Sequence, residues 1–294
     1  MFSLVITAAF ILAALQEMPT DSKPTTPSHA PTTTDSSRKE DEALILGLRF
    51  AVKMSDRQRD PIGWASAQLL LGTALKAKNE LPEAETVMRS GLEEIARAHR
   101  EDEPGFLEFR REYASLLVDA GKLKDAEIVY KALLPAANRV LGEKNRKTLA
   151  IRSDYAFFLI ALERFADAET ETRSILTDGV PVLGTEDHDM VEARTQLANA
   201  LAHQGKNAEA EADYRAVIPL MEHTLGPFDG RVLLARYNLA FCLRGQKKFE
   251  DALDLARQVE KTAQQKLPKD DPLQKDFEKL RKDLEKSLGK AVGE

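Results

Sequence analysis

An all-α solenoid of five antiparallel helix pairs, with a further helix capping each end, is the fold this sequence predicts, and three observations carry it. The composition is that of helices: of 294 residues, 43% are apolar and 31% charged, aromatics are only 6%, and Ala, Leu, Glu, Lys and Arg dominate. Ala84, Ala126, Ala168, Ala210 and Ala252 recur every 42 residues with no gap, which is the mark of a stacked array. That register then brings out further columns: Leu71, Tyr113, Tyr155, Leu197, Leu239; Gly72, Ala114, Ala156, Ala198, Ala240; and Leu75, Leu117, Leu159, Leu201, Leu243. Large, small, then Leu three residues on places one apolar stripe on one face of a helix.

The N-terminal region has three parts. Met1 to Leu15, MFSLVITAAFILAAL, is apolar and uncharged. It falls short of the about 20 residues that span a bilayer as a helix and fits the apolar region of a secretory leader better. No Lys or Arg precedes it and no clean A-x-A site follows; the nearest small-residue match lies around Ala13 to Gln16. A cleaved leader over residues 1–16 is the expectation, with an uncleaved membrane tether or a cytosolic chain as the alternatives. Residues 17–37 are rich in Pro, Thr and Ser and have almost nothing to bury, so they read as a disordered spacer. Residues 38–60 hold the N-terminal capping helix, RKEDEALILGLRFAVKMS, introduced by Ser37 with Glu40 three residues on, the spacing of a capping box.

Residues 61–268 form the five repeats. In each, the first helix carries the large–small–Leu stripe and the second, starting near Pro82 in the first unit, carries the Ala column. Gly121 and Gly205 sit between the two helices, where a left-handed backbone is least costly for glycine. GKNAEAEADYR from Gly205 repeats GKLKDAEIVYK from Gly121 because one contact repeats: Ala198 and Ala210, on partner helices, let two backbones approach closely. Pro135 and Pro219 share a column nine residues after the Ala column, so either the second helix bends there or a shorter helix ends and a separate turn follows. In residues 269–294, Asp271–Pro272 opens a C-terminal cap whose Leu273, Phe277, Leu280, Leu284 and Leu288 share a face while charge fills the rest. A coiled coil is the lesser reading, since the stripe lasts barely two heptads.

Charge and motifs argue against several functions. A net charge of −6 offers no basic footprint for nucleic acid. One cysteine, Cys242, rules out an internal disulfide or a thiolate metal cluster, and its place in NLAFCLRG reads as a buried, inert thiol. His29, His99, His188, His203 and His223 form no H-x-x-x-H pair and no H-E-x-x-H motif. Glu186 to Asp189, EDHD, is the one local cluster of candidate ligands, and a structural turn between repeats is favoured there over a metal site. With no Gly-rich phosphate loop and no G-x-S-x-G elbow, no catalytic centre, cofactor or metal is expected.

Small residues twelve apart on two antiparallel helices, in text of the form LAxxLxxxGKxxEAExxYR, resemble the tetratricopeptide repeat. The 42-residue period resembles its kinesin light chain type and bacterial relatives. So do Leu–Gly at 141–142, 183–184 and 225–226, and the stretches TLAIRSDYAFFLIALERFADAE from Thr148 and RVLLARYNLAFCLRGQKKFEDAL from Arg231. The resemblance covers about Pro61 to Pro268 and is specific for fold rather than function. It implies a right-handed superhelix whose first helices line a concave groove for an extended peptide or a partner helix. The candidate groove residues are Arg111, Asp154, Phe157, Gln196, Asn199, Tyr237, Asn238 and Phe241. Some members clamp a terminal carboxylate with two asparagines and several basic residues. Asn199 and Asn238 match the asparagines, while Thr195, Asp276 and Leu280 stand where basic residues belong, which puts the clamp in doubt. The paired amides remain suited to a peptide backbone, and Phe157, Tyr237 and Phe241 to apolar anchors, with inter-repeat packing the alternative for the phenylalanines.

Arg110, Arg152, Arg194 and Arg236 form a basic column. It is either a ladder for an acidic ligand or, as favoured here, a set of partners for Glu85, Glu127, Glu169 and Glu211 within the stack.

Together these features imply a secreted or periplasm-facing, bacterial-type adaptor that binds a protein or peptide, is monomeric, takes no nucleic acid and has no stable membrane span apart from the N-terminal tether alternative. A structural protein self-associating through its terminal helices, and a hydrolase on a helical scaffold, are the other readings. Expressed with its native N-terminus, the chain should leave the cytoplasm, whereas a chain starting at Arg38 should stay soluble inside. Fractionation that finds the full-length chain in the cytoplasm with Met1 retained would refute export.

Overall fold

The computed structural model describes residues 35–267 and 271–292. The expected leader and the spacer up to residue 34 lie outside them, as do the side chains of the Ser37–Glu40 capping box. Among the described residues every regular element is a helix. Helix α1 (Asp35–Met54) begins ahead of the expected Arg38. Five pairs follow: α2 (Pro61–Ala77) with α3 (Leu81–Arg97), α4 (Pro104–Asp119) with α5 (Leu123–Leu141), α6 (Arg146–Ala161) with α7 (Phe165–Leu183), α8 (His188–His203) with α9 (Asn207–Leu225), and α10 (Gly230–Gly245) with α11 (Phe249–Lys266). Helix α12 (Pro272–Val292) ends the array.

The sequence columns become local structure at each turn. Between the helices of a pair one residue is left-handed: Asn79, Gly121, Glu163, Gly205 and Lys247, with φ from 58° to 74°. Glycine is thus used at two of these positions and an ordinary side chain is held there in the other three. The hold comes from the Leu column, whose carbonyls accept from the residue after the left-handed one, as in Lys122 N–H to Leu117 at 2.8 Å and Lys206 N–H to Leu201 at 3.0 Å. Between pairs, Asn145, Asp187 and Asp229 cap α6, α8 and α10 by accepting the N–H of Lys147, Asp189 and Arg231, each at 2.9 Å. Asp271 makes the same bond to Leu273 at the start of α12. The EDHD cluster is therefore the entry to α8, with Asp187 as its cap.

Within each pair the two small columns meet. All five alanines of the second-helix column and Ala114, Ala156, Ala198 and Ala240 of the first are fully buried. In the first unit glycine takes this place, and a Cβ on Gly72 would lie 2.0 Å from Met88 and 3.2 Å from the Ala84 carbonyl. Larger residues fill the space between units instead: Tyr130 packs on Tyr155 and Phe158 at 5.6 and 5.4 Å between ring centres.

One open alternative is decided, and one expectation needs correction. The second helices do not stop at their prolines: Pro135 and Pro219 lie inside α5 and α9, and Pro181, which the column pattern did not single out, lies inside α7. All three prolines are exposed, so the carbonyl each one frees, a turn earlier, can turn to water. The arginine column also chooses other partners. Arg152 on α6 pairs with Glu171 and Asp178 of its own second helix at 2.6 and 2.8 Å, Arg236 pairs with Glu222 at 2.7 Å, and Arg110 lies 3.8 Å from Asp102. The acidic column reaches forward across the unit boundary: Glu85 to Lys122, Glu127 to Arg164, Glu169 to Lys206 and Glu211 to Lys248, at 2.7, 3.2, 2.6 and 2.8 Å. Gln204 and Gln246 add bonds to Glu169 and Glu211 at 2.9 and 2.7 Å.

The backbone of each first helix in the array also approaches that of the next first helix, from α2 through α12, whereas the backbones of successive second helices stay further apart, α7 and α9 meeting only through long side chains such as Arg173 and Glu209. The first helices therefore lie at the smaller radius and form the inner wall.

Ala168→Trp should overpack the α6–α7 contact and split the stack into two less coupled halves. An unchanged single thermal transition by circular dichroism would refute the register. The carboxylate bridges set a pH dependence. Hydrogen bonding to Lys206 holds Glu169 at about 2; at Glu211, Lys248, Arg215 and Gln246 outweigh the opposing effect of burial and hold it at about 2. Both are depressed below the ordinary 4.5, so their contribution is present above that pH and is lost as pH falls toward 2. In denaturant titrations, the stability gap between the parent and Glu211→Gln should shrink from pH 7 to pH 2. A gap that stays constant would remove the bridge from the account.

Candidate partner-binding groove

The inner wall is built from the same helical positions in successive units, yet its chemistry changes along the array. At the α2–α4 boundary Lys76 is surrounded: its Nζ lies 2.8 Å from Ser115 Oγ, 3.3 Å from Glu112 and 3.8 Å from Asp119. At α4–α6, Arg111 Nε donates to Asp154 at 2.6 Å while its Nη1 holds Glu108 at 2.8 Å. Burial raises the Asp154 carboxyl above its ordinary range, against the pull of Arg111. At α6–α8 the contact is neutral, Ser153 Oγ donating to Gln196 Oε1 at 3.3 Å, both residues buried.

At α8–α10 the two asparagines meet. Asn238 Nδ2 donates to Asn199 Oδ1 at 3.1 Å, and the Tyr214 hydroxyl, reaching in from α9, donates to the same oxygen. Burial pushes the Tyr214 hydroxyl well above its ordinary pKa, so it remains a donor. This fixes both amides. Asn199 Oδ1 accepts two bonds, which leaves Asn199 Nδ2 as a donor and Asn238 Oδ1 as an acceptor. On α10, Phe241 is 41% exposed with the Arg244 guanidinium 4.5 Å from its ring centre. Tyr237 instead packs on Phe277 of α12 at 5.4 Å, and Phe157 is half-buried on α6.

The eight candidate residues therefore share one wall without sharing one state. Arg111 and Asp154 are engaged with each other, Gln196 with Ser153, and Tyr237 with the cap. Asn199, Asn238 and Phe241 keep groups for another molecule. Sequence reasoning missed Tyr214, although the tyrosine recurs two units apart, as Tyr130 and Tyr214, in the repeated AExxY text. Cys242 is fully buried, and burial pushes its thiol up to about 11, away from the thiolate that acts as a nucleophile. Among the described residues no group of His, Cys, Asp and Glu is placed to hold a metal ion, and no helix is long and apolar enough to cross a membrane.

Residues 189–265, which span α8 to α11, match the family model for the tetratricopeptide repeat. Solved structures share the fold. BtubC (BKLC) from P. vanneervenii is 16% identical with a TM-score of 0.64, over 79% of this chain and 94% of that one. A Podosopora anserina chain described as kinesin light chain, with nearly identical TPR-like repeats, is 18% identical with a TM-score of 0.58, over 73% of this chain and 100% of that one. Among curated proteins none matches this sequence.

Proposed function

We propose that this tetratricopeptide-repeat protein, whose fold is that of kinesin light chain-like solenoids, is a non-enzymatic adaptor that holds an extended peptide of a partner protein along its inner wall at α8 and α10. Tetratricopeptide solenoids are in general scaffolds for protein–protein contact. The finer reading rests on one observation, the locked amide pair. Asn199 Nδ2 and Asn238 Oδ1 offer one donor and one acceptor from neighbouring helices, the complement of a single peptide group. Phe241 lies a turn beyond Asn238 and offers its ring to an adjacent apolar side chain. The apolar Met1–Leu15 and the spacer after it support a place outside the cytoplasm, secreted or periplasmic, in a bacterial-type host.

The test uses a peptide selected from a random library on the full chain, titrated calorimetrically. Asn238→Ala removes the acceptor and should weaken binding about 2–10-fold, the worth of one net hydrogen bond of about 0.5–1.5 kcal/mol. Asn199→Ala alone would strand the buried Tyr214 hydroxyl, so it is paired with Tyr214→Phe, and the pair should weaken binding by a similar factor. Phe241→Ala should cost about tenfold or more, as an aromatic anchor does. If all three bind like the parent while circular dichroism stays unchanged, the inner wall at α8–α10 is not the site.

A further inference from the structure

Helix α1 carries apolar residues on two sides. Ile45 and Leu48 are buried, while Leu46, Phe50 and Met54 are 70%, 63% and 53% exposed. Four residues apart on one continuous helix, these three fall on one face, and the same helical spacing brings Ala43 and Gly47 into it. Glycine weakens a helix interior, yet among the described residues a Cβ at Gly47 would meet no atom within 4 Å, so none of them calls for its small size. The other end of the array is unlike this one: α12 buries Phe277, Leu280 and Leu284 and turns residues such as Glu278, Lys282 and Asp283 outward, as a terminal cap requires.

We propose that α1 of a second copy covers this face, in an antiparallel pair with two-fold symmetry. The helix is self-complementary for that arrangement. Glu42 and Lys53 lie on the same flank of the apolar stripe, on either side of a two-fold axis passing beside Gly47. Glu42 of each helix then meets Lys53 of the other, as flanking charges do across paired helices. Along the stripe, each Phe50 ring lies over the small Ala43 and Gly47 of the second copy, and the absent Cβ of Gly47 lets the two axes come close. One helix against one helix falls short of the about 1,200–2,000 Å² that stable complexes bury. The dimer is therefore weak and reversible, with a dissociation constant on the order of 10–100 μM. The inner wall at α8–α10 takes no part in it, so the peptide-binding reading stands or falls separately.

Sedimentation velocity on the full chain, run from well below to well above that concentration, should show mass rising from monomer to dimer. Phe50→Asp with Met54→Asp should hold the chain at monomer mass with an unchanged circular dichroism spectrum. Under mild oxidation Gly47→Cys should form a disulfide between copies, whereas Ile128→Cys, similarly exposed on α5, should not; the native Cys242 is buried. A parent that stays monomeric at every concentration, because residues 1–34 or a lipid surface cover the face instead, would overturn the proposal. So would a dimer that survives the two aspartates, or a Gly47→Cys chain that crosslinks no faster than Ile128→Cys.

Discussion

Everything in this array follows from the close contact between the two small columns. When Ala114 faces Ala126, or Ala198 faces Ala210, two helix backbones come as near as side chains permit, and the pair becomes a flat, rigid plate. A plate this thin cannot bury a large side chain between its own helices. Tyr130, Tyr214 and Phe158 are therefore displaced into the gap between one plate and the next, where they are fully buried. Burying a tyrosine ring at that depth obliges its hydroxyl to find a partner. For Tyr214 the partner is Asn199 on the inner wall. One packing constraint on the second helices thus sets the orientation of a polar group on the first helices.

The plates are then coupled by charge at their outer corners. The carboxylates of Glu85, Glu127, Glu169 and Glu211 lie next to the Ala column and reach the cation that opens the following second helix, so each bridge spans a boundary between units. Bridges of this kind, partly shielded from water and in two units joined by a glutamine amide, fix how one plate is rotated on the next, which the non-directional packing of apolar rings cannot do alone. The arginines of the inner column are left to their own pairs, as Arg152 is with Glu171 and Asp178.

Periodicity made the architecture legible. A 42-residue repeat without gaps located every helix pair, whereas the asparagine and aspartate caps at 145, 187, 229 and 271 share that period and came to light only with the structure. What the sequence did not reveal was which charged column pairs with which. Arg152 and Glu169 have the right signs and recur with the same period, and only the direction each side chain leaves its helix decides against their pairing. The prolines at 135 and 219 left two readings open for a similar reason: whether a proline ends a helix depends on whether the freed carbonyl can reach water, and exposure at Pro135, Pro181 and Pro219 is a tertiary property. Along the inner wall the candidate side chains could be named from the sequence but their engagement could not. Arg111 and Asp154 look like recognition residues until their 2.6 Å contact is seen.

On the proposed reading, that engagement bears on the kind of partner the wall could take. A wall whose charges are already paired offers little net energy to a charged ligand, because breaking Arg111 from a buried Asp154 would strand a desolvated carboxylate. On that reading, recognition would fall toward the end of the wall where the internal bonds are neutral and where one amide donor, one amide acceptor and one exposed ring remain. Neutral hydrogen bonds to a backbone carry little side-chain information, so specificity would come from the residue seated on Phe241 and from the spacing between that ring and the amides. A site of that kind would favour many partners that share a short extended segment over one partner matched across a broad surface. That is the behaviour expected of a scaffold whose stiffness, set by the alanine contacts, supplies the preorganisation.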